Sequence, residues 1–322
     1  MENFKAMENM KRLETLCIAG AVAVLAVSCG KEEAVREDGA SKVGFTAAEL
    51  QVKTVFGEKA DGEYPVLWTS NEKVALFYNS QTGGQTGGGQ YADVLPSADG
   101  HTAGFSASFT DDGNGSHSFY AMSPLSALNW MGNEDWDGNG VNEKILYANI
   151  PYDQIPVPGT CDEKAQIVFA KGEFTEFPDK VDLKFSHMTA YGLITSLSLP
   201  EEATEIVGLT IESDKFLSGE IYCNYNTPET ILCNAKKAQK YIYLDVNSGG
   251  LKAKKLENVF FACTPQTDGN DVFGEGDYLK FTVYTDTYTW VKTVNFSADR
   301  TLAFKTGRIS SFSVSAHGFE KQ

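Results

Sequence analysis

The chain has 322 residues, with 43 Asp and Glu against 27 Lys and Arg, and a formal net charge of −16 at pH 7. So acidic a surface repels phosphate backbones and argues against a nucleic-acid partner, while it suits cationic partners or calcium. The length allows one large domain or two of ordinary size, with sizeable cores.

The N-terminal region reads first. Lys5, Lys11 and Arg12 form a basic stretch, and Leu16 to Val27 is apolar. That run is too short for a bilayer core, which needs ~20 residues. With small Ser28 before Cys29, it reads as a bacterial lipoprotein signal covering residues 1–28. The mature chain would begin at a lipidated Cys29, held at a membrane by acyl chains worth ~0.8 kcal/mol per buried methylene. An uncleaved anchor and an ordinary secretory signal are the alternatives. Lys31-Glu32-Glu33 has the form of an acidic export tag to the outer face of the outer membrane, or of a plain solvated linker. The expected location is therefore the outer membrane, lipid-anchored at the cell surface. Residues 29–42 read as a polar tether. Arg36 is the only arginine between Cys29 and Arg300, either a candidate protease site or one charge in a linker. No second apolar run reaches spanning length.

From residue 43 the pattern is β. Val74, Leu76 and Tyr78 alternate with Lys73, Ala75 and Phe77. Val181, Leu183 and Phe185 alternate with Asp182, Lys184 and Ser186, and Ile242, Leu244 and Val246 with Tyr241, Tyr243 and Asp245. Leu279–Val283 and Val291–Val294 flank a hairpin turn. Period-two runs bounded by Gly, Asn, Asp and Pro predict antiparallel sheets in an all-β chain of β-sandwiches. Residues 80–90 are Gly-rich but lack the Gly-Lys-Ser/Thr end of a phosphate loop, so they join strands. Phe177-Pro178-Asp179 suggests a boundary between an N-terminal domain, 43–177, and a C-terminal domain, 178–322.

Few local motifs carry chemistry. Asp135, Asp137, Asn139, Val141 and Glu143 fall at the spacing of a calcium loop, with Gly140 at the turn. Leu146 stands where such a loop has its bidentate glutamate, so an acidic Asn-Gly turn is the alternative. No other cofactor is expected. Trp130 and Trp136 bracket acidic residues and suit stacking on sugar rings, or else fill a core beneath a loop. Cys223 and Cys233 flank a turn and read as a cross-hairpin disulfide or as two free thiols. The four histidines are scattered and no nucleophile elbow or metalloprotease motif occurs, so no enzyme is expected. His187 reads as a structural histidine.

Several segments together resemble one family. They are Val43-Gly-Phe45-Thr-Ala47, Lys53-Thr54, Trp68 before Lys73–Phe77, and Phe119-Tyr120-Ala121-Met-Ser-Pro124. Pro151-Tyr-Asp-Gln154, Leu183-Lys-Phe185-Ser-His187-Met-Thr-Ala190, Gly307-Arg308 and Phe312-Ser-Val314 follow in order. In order and in kind these resemble the fimbrillin family of type V pilus subunits over most of residues 43–316. Asn71 and Glu72 stand where that family usually has an aspartate. The resemblance implies two transthyretin-like antiparallel β-sandwich domains and assembly by strand exchange with other fimbrial subunits. In stalk subunits an arginine-specific protease removes the first strand and opens a groove for a neighbour's strand. Here cleavage at Arg36 would leave the strand from Val43 in place. The reading is therefore a structural or adhesive subunit in a tip or accessory position. The runner-up is a surface lipoprotein that binds glycans through exposed aromatic loops. Host or bacterial glycans and proteins are the expected outside partners.

Overall fold

A computed structural model describes residues 40–47, 55–56, 66–70, 73–79, 89–113, 115–135, 140–266 and 272–322. Cys29, Arg36, Trp136, Asp137 and Asn139 lie outside the described residues. The described part belongs to one compact unit, residues 37–322, and it is almost entirely β, with only two short 3-10 turns among the described residues.

Two sandwiches follow from two sets of alternating strands. In Ala103–Thr110 every second side chain (Ala103, Phe105, Ala107, Phe109) is buried, and the Gly, Ser and Thr between them face out. This strand lies in a four-stranded sheet ordered Lys180–Leu183, Ala40–Ala47, Ala103–Thr110, Leu95–Pro96. Facing it is a five-stranded sheet ordered Phe185–His187, Val168–Phe174, His117–Ser123, Lys73–Tyr78, Gln90–Asp93. Their inner faces share one aromatic core of Phe45, Phe105, Phe109, Phe119, Tyr78 and Phe185. The second sandwich sets the three strands Lys255–Cys263, Ala190–Ser198 and Ile309–Val314 against a six-stranded sheet centred on Ile206–Ser213 and Tyr278–Thr285. Its core holds Ile194, Leu209, Ile242, Phe261, Phe281 and Trp290.

The expected runs at 73–78 and 241–244 are strands, and Tyr278–Thr285 and Thr289–Asn295 form the expected hairpin with Leu279 opposite Val294. The 181–185 run is split at Lys184 into Lys180–Leu183 and Phe185–His187, which go to opposite sheets. Both strands follow residue 178, yet Val181, Leu183 and Phe185 pack in the first core. The second core opens at Ala190.

A further sheet draws on both halves of the chain. It runs Leu232–Gln239, Ser218–Asn224, Glu143–Ile150, Leu128–Glu134. Its inner side chains, Leu146, Ala148, Ile150, Ile221 and Cys223, pack with Tyr120, Met122 and Phe169 from the back of the five-stranded sheet. That explains the His117–Ser123 strand, where Phe119 to Ser123 are all buried: a strand covered on both faces is not free to alternate. Gln154 adds a second tie. Its buried amide donates to the Ala262 carbonyl at 2.8 Å and accepts from the Ala262 amide at 3.0 Å, as a neighbouring strand would.

Candidate functional site

The first candidate is the place of the first strand. Ala40–Ala47 is an interior strand, antiparallel to Ala103–Thr110 and parallel to Lys180–Leu183. Val43, Phe45 and Ala47 point inward and are at most 2% exposed. The Phe45 ring stacks on Phe105 at 5.7 Å and meets Phe119 edge-on at 5.6 Å. On the outer side Thr46 donates to the Asp182 carboxylate, and that bond with Lys180 holds the carboxyl below its usual range. The strand thus fills a groove whose walls come from residues far away in the chain.

The acidic loop gives less. Asp135 and Val141 are exposed, and the Asp135 carboxylate accepts the Gly140 amide at 2.9 Å, as an Asn-Gly turn would have it. Glu143 stands in a strand opposite Glu134. Among the described residues, the carboxylates of Asp111 and Asp112 and the ring of His117 come closest to one another as ligand groups, a trio the sequence reading missed. They already serve the fold: the Tyr78 hydroxyl bonds His117 Nδ1 at 2.7 Å and donates to Asp112 at 3.0 Å.

Burial and these acids push Tyr78 up from 10.0 to about 12. The folded chain therefore keeps a proton that the unfolded chain loses above pH 10. The associated stability is intact below that pH and is lost as the pH climbs toward 12. Tyr78→Phe is expected to flatten this alkaline decline in urea-denaturation curves measured from pH 8 to 12. An unchanged slope would show that Tyr78 does not carry it.

Cys223 and Cys233 are both thiols. The cross-hairpin disulfide is not formed, because Cys233 stands opposite Ile221 while Cys223 stands opposite Leu146 on the other side and packs into the core. Burial pushes the Cys223 thiol up to about 12, which leaves it unreactive. His187 is structural as expected, with Nδ1 2.8 Å from the Tyr191 hydroxyl.

No family model matches the chain, and no curated protein matches it. The chain is similar to solved structures whose TM-scores all lie below 0.5. A candidate cell adhesion protein from Bacteroides ovatus is 11% identical, with 88% of this chain and 95% of that one covered and a TM-score of 0.48. A candidate cell adhesion protein from Bacteroides thetaiotaomicron is 15% identical, with 87% and 93% covered and a TM-score of 0.41. A fimbrial assembly protein from Parabacteroides distasonis is 11% identical, with 88% and 93% covered and a TM-score of 0.38.

The second candidate is a groove of about 1100 Å³ on the outer face of the sheet drawn from both halves. Trp130, Tyr147 and Tyr222 stand in register on three adjacent strands, with ring centroids 5.9 and 5.7 Å apart. Sequence reasoning found Trp130 but neither tyrosine. Trp136, its expected companion, lies outside the described residues. At the far end of the chain, Ile309–Val314 pairs with Ala190–Ser198, Glu320–Lys321 pairs with Thr289–Asn295, and Phe319 is buried in the second core. Among the described residues, no helix is long and apolar enough to cross a membrane.

Proposed function

We propose that this protein is a structural and adhesive subunit of a cell-surface fimbria, in a tip or accessory position, held to the outer membrane through a lipid on Cys29. The observation that carries the reading is the first strand, an interior strand already seated in its groove and beginning just after Arg36. Cleavage at Arg36 frees the chain from its lipid without emptying the groove. Residues 309–314 and 320–321 are paired within their own fold and so are not themselves donated to a neighbour. Assembly by strand donation then requires the whole first strand to be displaced, since only that exposes a row of unpaired backbone groups for a partner. The work is done by strand edges and loops and not by a reactive side chain. His117 and His187 are each engaged by a tyrosine.

Digestion of residues 30–322 with an arginine-specific protease tests the placement. The expected product on an unheated denaturing gel is one monomer trimmed near Arg36. A ladder of resistant multimers would instead identify a polymerising stalk subunit. A chain starting at Ala48, mixed with a peptide of residues 40–47, tests the groove itself. A gel-resistant complex supports strand exchange, and a peptide that runs free rules it out.

A further inference from the structure

We infer that the outer face formed by Trp130, Tyr147 and Tyr222 binds a neutral oligosaccharide. The inference goes beyond the fimbrial reading and does not depend on strand exchange. Three features of the groove carry it.

The first is how Trp130 lies. A Cβ at Gly132 would come within 2.5 and 2.8 Å of indole carbons Cζ2 and Cη2. The indole therefore packs directly over Gly132, in space that any side chain there would take from it. It remains half-exposed on an edge strand. A half-exposed indole seated on a glycine offers apolar ring surface to stack against the C–H face of a pyranose.

The second is the row. Trp130, Tyr147 and Tyr222 step across the sheet at intervals close to the length of one sugar unit. Neighbouring ring planes are inclined to one another by 50° and 40°. A stepped row of inclined rings suits a single soluble chain, whose sugar units differ in orientation, and does not suit a flat crystalline surface. Tyr147 is fixed by burial and by its hydrogen bond to Glu134, which together raise its pKa.

The third is the polar floor. The Glu220 carboxylate is 3% exposed and accepts from Asn129 Nδ2 at 2.8 Å, Asn234 Nδ2 at 2.7 Å and Lys237 Nζ at 3.1 Å. Asn129 and Glu220 each sit where the strand register shifts, so two irregularities turn these side chains into the groove. One buried carboxylate thus orients two amides and an ammonium beside the rings, the mixture of apolar wall and few placed polar groups that fixes a small ligand. The lining pairs Glu134 and Glu220 with Lys236 and Lys237. That balance, on a chain of net charge −16, favours a neutral sugar over a polyanion.

The test is calorimetric titration of the purified protein with maltohexaose, cellohexaose, mannohexaose and xylohexaose. At least one is expected to bind saturably, with little dependence on salt. Trp130→Ala should weaken that binding about tenfold, the loss of one stacked ring. Gly132→Val, which lifts the indole without touching ligand, should weaken it as well. Tyr243→Ala, on the outer face of the other large sheet, should leave it unchanged. Failure of all four sugars to bind would overturn the inference. So would wild-type affinity in folded Trp130→Ala and Gly132→Val, or binding lost only in Tyr243→Ala. If no sugar binds and Trp130→Ala abolishes self-association, the face is a protein contact and the inference is wrong.

Discussion

Phe45→Ala is expected to lower the unfolding free energy by about 3–5 kcal/mol, the cost of emptying a large aromatic site in a core that cannot collapse around it. Phe45 is 2% exposed and touches rings on both faces of the sandwich: Phe105 and Phe109 on its own sheet and Phe119 on the opposite one. The loss therefore acts on the anchoring of the first strand and on the sheet-to-sheet contact together. Thr46→Ala on the outer side of the same strand should cost far less, because its bond to exposed Asp182 is screened by solvent. Urea midpoints at constant slope measure both. Equal small losses would mean the strand is held by its backbone pairing alone, and the case for a shaped, exchangeable groove would weaken accordingly.

Gly219→Ala is expected to cost about 2–3 kcal/mol from backbone strain alone, with overlap added to it. Gly219 has φ +95°, and a Cβ there would lie 2.5 Å from the Lys237 carbonyl oxygen and 2.7 Å from the Ala238 Cα. These are backbone atoms of the adjacent strand, so relief requires the two strands to part. The change would fall beside Glu220 and spoil the alignment of Asn234 and Lys237 as well as stability. Thermal unfolding of the variant, compared with Gly250→Ala, separates the causes. Gly250 shares a positive φ but has open space around its missing Cβ. Equal effects would assign the loss to conformation alone and leave strand contact no part in it.

What could be read from the sequence was what repeats locally. The runs at 241–244 and 278–285 alternate cleanly enough that their strands and inward faces follow directly, and 73–78 and 289–295 read as strands though their burial alternates less cleanly. The sheet drawn from both halves was not legible. Leu128–Glu134 reads Leu-Asn-Trp-Met-Gly-Asn-Glu and Leu232–Gln239 reads Leu-Cys-Asn-Ala-Lys-Lys-Ala-Gln, and neither alternates cleanly because each contains a register shift. The same holds for the groove. Trp130 stands out in any reading, but Tyr147 and Tyr222 join it only through a register fixed by tertiary packing. Of the two readings of Cys223 and Cys233, the pair of thiols holds for a related reason. Proximity to a turn brings two cysteines near each other, but pairing in register decides whether they meet.

The parallel pairing of the first strand sets the order in which the molecule can complete itself. Residues 44–47 need 180–183 on one side and 103–106 on the other. A chain that emerges from its N-terminus can pair this strand with 103–110 early, but the second wall of its groove is missing until residue 183, more than half of the 322 residues, has appeared. Such long-range closures are the slow steps of folding, since a large loop must be ordered before any contact rewards it. The opening segment of the polypeptide is among the late ones to be locked in. Until then its groove is open to whatever strand arrives first.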